Sequence, residues 1–152
     1  MKKISIIFLL ILVNSLLSLA ADTNIVSFKG EKVYQITEKN NRGVIVFLHG
    51  GLENPAFAEG IPNELDFVLE KNQALVPFSL EAGFDLLIPI YSGKINWLDE
   101  PQAFHDLLFD LLMTKGLQYE EIYIAGFSDG GTASFQIFHQ NSESYEGLIV
   151  IS

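Results

Sequence analysis

The run GVIVFL at residues 43–48 contains no polar side chain. A strand without alternation is buried on both faces, which predicts a parallel sheet covered by helices. FDLLIPI (84–90), EIYIAGF (121–127) and GLIVIS (147–152) are apolar in the same way and supply the other core strands. Two shorter β-type runs come first, NIVSF (24–28) and KVYQIT (32–37), with Gly30 of the linking Lys29-Gly30-Glu31 supplying the turn. Helical segments separate the core strands. NELDFVLEKN (63–72) and ALVPFSLEA (74–82) lie between the first two, the second closing at Gly83 and blurred near its start by Pro77. A third helix begins with Asp99 as its expected N-cap, Pro101 early and Gln102 at capping-box spacing. Phe104, Leu107, Leu108, Leu111 and Leu112 line one face of it, and Lys115-Gly116 ends it. GTASFQIFHQ (131–140) is the last helix, while His49–Asn63 and residues 91–98 are expected loops. Strands alternating with helices mean an α/β fold with right-handed crossovers, a mostly parallel sheet and helices on both faces.

Composition narrows the classes. At 152 residues there is room for one domain, and 49% apolar with 18% charged residues suits a globular core. A formal charge of −10 argues against a nucleic-acid partner, since no basic patch exists to release phosphate counterions. The absence of cysteine excludes disulfides, thiolate metal sites and lipid attachment to an N-terminal cysteine. The first twenty residues, MKKISIIFLLILVNSLLSLA, have a positive n-region at Lys2 and Lys3. An apolar core from Ile6 to Val13 follows, and then a small-x-small site at Ser18-Leu19-Ala20. This pattern is that of a secretory signal, so residues 21–152 are the expected domain, working in a periplasm or outside the cell with no stable membrane span after cleavage. An uncleaved anchor is the alternative, weakened by Asn14, Ser15 and Ser18. No cofactor or metal is expected. HGGLENPAFAEG lacks the Gly-Lys-Ser/Thr ending of a nucleotide-phosphate loop.

The candidate chemistry centres on AGFSDGGT (125–132), in which Gly126-Phe127-Ser128-Asp129-Gly130 fits G-x-S-x-G between a buried strand and a helix. A nucleophilic serine on such a turn has a strained backbone, and side chains at 126 and 130 would collide with its neighbours. The same spacing suits a serine that merely caps the helix. Upstream, GVIVFL ends in His49-Gly50-Gly51. Acyl transfer needs backbone N–H groups aimed at the developing oxyanion. The amide of Asp129 is one expected donor, and the amide of Gly51, with Leu52 second, is the other. HGG also suits a plain turn with a structural histidine.

With these pieces in view the chain resembles the α/β-hydrolase superfamily. The resemblance rests on VFLHGG as the oxyanion loop, AGFDLLIPIY as the next helix end and strand, NWLDEPQAFHDLLFDLL as the helix before the elbow, and IYIAGFSDGG as strand plus elbow. Within the superfamily it is similar to carboxylesterase and phospholipase-type esterases, or to esterase modules near prolyl oligopeptidases. That implies a small-molecule ester or acyl substrate, with a secreted peptidase as the alternative. It also implies two further strands bearing an acidic residue and then a histidine, which this sequence lacks. His139, eleven residues beyond Ser128 on the outgoing helix, lies about 16 Å along the axis and out of reach. His105 is expected on a solvated helix face beside Asp106. In such hydrolases the histidine matching His49 supports the oxyanion loop. Asp129 is expected to point its side chain away from the turn, as a cap or pocket-lining group. Trp97 and Tyr91, past the carboxyl end of a core strand, join His49 as candidate pocket residues, Trp97 alternatively packing under its loop. Glu53 and Glu59 read as solvated charges. GLIVIS would leave an apolar edge if the chain stopped there. The expectation is therefore the N-terminal portion of a longer serine hydrolase, against a non-catalytic binding protein of the same fold or a relic that does not fold stably alone.

Overall fold

In the computed structural model, which describes residues 21–38, 41–52, 64–92 and 95–151, the apolar runs become strands of one six-stranded sheet. β1 (Asp22–Phe28) and β2 (Glu31–Thr37) form an antiparallel hairpin with Phe28 opposite Glu31. Its two-residue turn holds Lys29 at φ 50° and Gly30 at φ 86°, the geometry whose twist matches paired strands. The core strands are β3 (Gly43–Leu48), β4 (Phe84–Ile90), β5 (Glu121–Phe127) and β6 (Gly147–Ile151). The order is β1-β2-β4-β3-β5-β6. β2 meets β4 antiparallel, and the four core strands run parallel. Helices α1 (Glu64–Glu70) and α2 (Leu75–Glu81) join β3 to β4, α3 (Pro101–Thr114) joins β4 to β5, and α4 (Asp129–Gln140) with a 3-10 turn at Ser142–Ser144 joins β5 to β6.

Every residue of β3 is buried, because both faces of the sheet are covered. Successive strand side chains point to opposite faces. Val44, Val46 and Leu48 pack with Leu108, Leu111, Ala133 and Ile137 of α3 and α4. Ile45 and Phe47 pack with Val68 of α1 and Leu75 of α2. Each such side chain, fully removed from water, contributes about 1.5–3 kcal/mol. This double-sided core fixes the carboxyl ends of β3 and β5, where the candidate chemistry lies.

Several boundaries differ from expectation. β1 starts at Asp22, and α1 and α2 are shorter than their sequence segments at both ends. Asp99 does not cap α3: the N-cap position is Glu100, without a side-chain cap bond, while Asp99 accepts from Asn96 Nδ2 at 2.8 Å. Pro101, with no N–H to satisfy, starts the helix instead. Gln102 donates to Asp106 rather than closing a capping box. α4 begins at Asp129, two residues early. β6 is an edge strand with Val150 53% and Ile151 37% exposed. The expected signal segment 1–20, and Glu53 and Glu59 with the loop as far as Asn63, lie outside the described residues. No helix among the described residues is long and apolar enough to cross a membrane.

The apolar run of β4 hides a carboxylate. Asp85, 7% exposed, accepts from Asn41 Nδ2 at 2.6 Å, Tyr119 OH at 2.9 Å and Glu38 N at 3.4 Å. Burial, then the Asp85 charge, pushes the Tyr119 hydroxyl well above its usual range, so it remains a protonated donor. Replacing Asp85 by alanine strands these donors, and a buried donor without a partner costs about 1–3 kcal/mol. We expect Asp85→Ala to lower stability by about 2–4 kcal/mol in urea denaturation. A loss below about 0.5 kcal/mol, the range of an ordinary surface change, would show that the network contributes nothing.

Candidate active site

Ser128 sits between β5 and α4 with φ 53° and ψ −119°. A non-glycine residue at positive φ is strained, by roughly 1–3 kcal/mol. Its side chain makes no cap bond to the helix it precedes, which removes the capping alternative, and it is exposed. Its amide donates to Ile151 O at 3.2 Å, tying the turn to β6. The flanking glycines have the expected steric cause. A Cβ on Gly126 would stand 2.1 Å from Gly130 O, and one on Gly130 would stand 2.0 Å from Leu48 O. Both are far inside contact distance. The loop after β3 is pressed against the same turn: a Cβ on Gly50 would lie 2.9 Å from Ser128 Cβ and from Phe127 O.

His49 braces this loop. Its ring is 2% exposed, with Nε2 accepting from the Tyr91 amide at 3.1 Å and Nδ1 2.8 Å from Gly50 O. An amide can only donate, so Nε2 is the acceptor and the proton of the neutral ring lies on Nδ1, facing the Gly50 carbonyl. Burial lowers the His49 pKa below its usual 6.5, only partly opposed by that carbonyl. The nitrogen lone pair a base would use is therefore engaged by backbone. Trp97 packs edge-on to His49 at 5.0 Å, to Tyr91 at 5.7 Å and to Phe104 at 5.6 Å. At 2% exposure it is core, as its packing alternative anticipated.

Asp129 departs most from expectation. Its carboxylate does not point away but reaches the loop, where Oδ2 accepts from Gly51 N at 3.1 Å and Leu52 N at 3.3 Å. The cause is the early start of α4: with Gly130 packed on Leu48 O, the first helical turn lies against the end of β3. The two loop amides expected to serve an oxyanion therefore already hold a negative oxygen. Successive N–H groups in a turn form an anion-accepting concavity, and Gly51 adopts φ 75° within it.

The remaining histidines stay away from Ser128. His105 is not solvated beside Asp106: it is half-buried, with Nδ1 2.9 Å from Tyr145 OH and its ring 4.6 Å from Phe109. Burial lowers its pKa, with Asp106 and Glu143 opposing. His139 is exposed and stacked on Phe135. A cavity of about 160 Å³ opens beside the elbow, lined by His49, Gly50, Gly51, Phe67, Val68, Lys71, Asn72 and Phe127. His49 is the one candidate pocket residue on its walls; Tyr91 and Trp97 lie off them. The α1 contribution carried no sequence signal, because the packing of that helix against the loop is a tertiary event.

No protein-family model matches the chain, and no curated protein does. Solved structures do match. A predicted CIB-like hydrolase from Thermoplasma acidophilum superposes with TM-score 0.53 at 18% identity, over 87% of this chain and 62% of that one. Carboxyl esterase 2 from the fungus Tuber melanosporum gives 0.53 at 16% identity, over 86% and 45%. Epoxide hydrolase A from Mycobacterium thermoresistibile gives 0.55 at 12%, over 87% and 39%. The chain has the α/β-hydrolase fold. It spans between 39% and 62% of the length of these three structures.

Two outcomes check the site geometry. Gly130→Ala is expected to cost at least about 3 kcal/mol, since a methyl group cannot fit against a backbone carbonyl. Gly116→Ala, at φ 66° with nothing within 4 Å of its Cβ, should cost only the left-handed strain of about 1–2 kcal/mol; equal losses would show that crowding at the elbow is not decisive. For Asp129, hydrogen exchange at the Gly51 and Leu52 amides is expected to quicken by roughly tenfold in Asp129→Ala and far less in Asp129→Asn, which keeps an acceptor. Unchanged exchange in both variants would remove the contact.

Proposed function

We propose that this chain carries the nucleophile half of a secreted serine hydrolase acting on carboxylic esters of small molecules. The observation that carries it is Ser128: exposed, strained at φ 53°, uncommitted to capping and wedged between two glycines that nothing larger can replace. Strain at a residue so tightly surrounded favours a functional role. In the reaction, Ser128 Oγ attacks the ester carbonyl carbon while its proton passes to a base. The tetrahedral oxyanion collapses, expelling the alcohol, and water then hydrolyses the acyl-enzyme. The Asp129 amide, at the start of α4 where an N–H has no intrahelical acceptor, and the Gly51 amide, with Leu52 beside it, would receive the oxyanion. For that the Asp129 carboxylate has to leave the loop.

None of the described histidines meets Ser128. His49 is held by backbone, His105 by Tyr145, and His139 stands out on α4. That arrangement favours a second reading, a non-catalytic binding protein of the same fold. One experiment separates them: fluorophosphonate labelling and p-nitrophenyl ester hydrolysis by the 152-residue chain and by the product of the reading frame followed beyond it. We expect background reaction from the 152-residue chain, since an unassisted serine hydroxyl is a weak nucleophile. The longer product should label at Ser128, and Ser128→Ala should lower its kcat/KM by at least about 10³-fold. A frame that adds no histidine, or labelling that survives Ser128→Ala, would sink the hydrolase reading.

A further inference from the structure

The cavity beside the elbow carries a charge that the proposed reaction leaves unused. Helix α1 and the turn after it lay Phe67, Val68, Lys71 and Asn72 alongside Gly50, Gly51 and Phe127, around about 160 Å³. At about 30 Å³ of liquid volume per water, that is room for roughly five waters, or for an acyl chain of a few carbons. Phe67, Val68 and Phe127 make its walls apolar. Asn72 is fixed by donating to Val68 O at 2.9 Å.

Lys71 is the cation on this wall. Lys29, Lys32 and Arg42 each pair with a carboxylate, Asp110, Glu64 and Glu121 respectively. Lys71, like Lys115, pairs with none among the described residues, although the chain carries a formal charge of −10; what sets Lys71 apart is its place on the cavity wall. A cation without a carboxylate partner among the described residues, on the wall of a cavity that adjoins the nucleophile turn, can receive an anion from a ligand. An ammonium does this as a point charge without strict geometry. The apolar walls require that the anion be carried on a short hydrocarbon segment.

We propose that this cavity takes the acyl part of the ester and that Lys71 selects acyl groups ending in a carboxylate, making the substrates half-esters of short dicarboxylic acids. The reaction assigned to such an ester rests on the serine-hydrolase reading; its binding does not. The test is therefore a titration of ¹⁵N-labelled chain with monomethyl glutarate and with methyl pentanoate, an uncharged counterpart. The half-ester is expected to shift the amides of Gly50, Gly51, Lys71 and Asn72 and to bind roughly three- to tenfold more tightly, an advantage that shrinks with salt. Lys71→Gln should abolish the advantage, Lys71→Arg should keep it, and the urea midpoint of both should match the parent because Lys71 is exposed. Equal binding of the two esters, silence at those four amides, or an advantage that survives Lys71→Gln would overturn the proposal. Repeating the titration and the ester assay with the product of the longer reading frame separates the two ideas. A half-ester that this product binds while its Ser128 stays unreactive sinks the hydrolase reading alone, and ester hydrolysis by it without preference for a terminal carboxylate sinks this one alone.

Discussion

Everything at the candidate site depends on how closely α4 approaches the end of β3. The Gly130 backbone lies so near Leu48 that a Cβ would stand 2.0 Å from its carbonyl oxygen. Only glycine permits that approach. From it follow the start of the helix at Asp129, the reach of the Asp129 carboxylate to Gly51 and Leu52, and the contact of Gly50 with the Ser128 turn. The strain at Ser128 belongs to the same constraint. Between β5 and a helix held this tightly, the chain has one residue in which to reverse, and that residue takes φ 53°.

Such a contact survives only on a rigid support. β3 pairs with β5 in parallel register out to Leu48 and Gly126, and with β4 on its other side. Covering both faces of β3 by helices leaves it no freedom to tilt. Beyond its end, His49 continues the bracing by joining the Gly50 carbonyl to the Tyr91 amide just past β4. A neutral, buried imidazole serves this better than a charged one, since it donates on one side and accepts on the other. Strand ends, brace and elbow thus form one unit at the carboxyl edge of the parallel strands, where open α/β sheets place their ligands.

The parts legible in the sequence were those governed by burial alone. GVIVFL and EIYIAGF declared themselves as two-faced strands because no polar residue interrupts the former and only the end of the latter is charged. The elbow was legible because its glycines answer a steric demand at fixed spacing. Less legible were features set by contacts across the fold. Asp129 and Gly130 belong to the G-x-S-x-G turn in the sequence, so α4 was expected from Gly131; the packing of Gly130 on Leu48 brings the helix start forward to Asp129. Asp85 was hidden inside an apolar run because its partners, Asn41 and Tyr119, come from distant segments. The direction of the Asp129 side chain and the α1 wall of the cavity were likewise decided only when separate elements met.

Charge offers the last instance of local geometry overruling a global property. A chain of net charge −10 has a surface potential that repels anions at long range, yet ionic strength screens that field within about 8–10 Å. At hydrogen-bond distance the balance is set by the groups in contact. Two backbone amides hold the Asp129 carboxylate at 3.1 and 3.3 Å, and their dipoles need no side-chain cation to do so. The loop after β3 is therefore built to favour a negative oxygen, whatever the protein's overall sign. The oxygen it holds in this structure belongs to the protein itself. For acyl transfer at Ser128 the same amides must prefer the oxyanion of the transition state to that carboxylate, so the Asp129 contact sets the level against which any substrate competes.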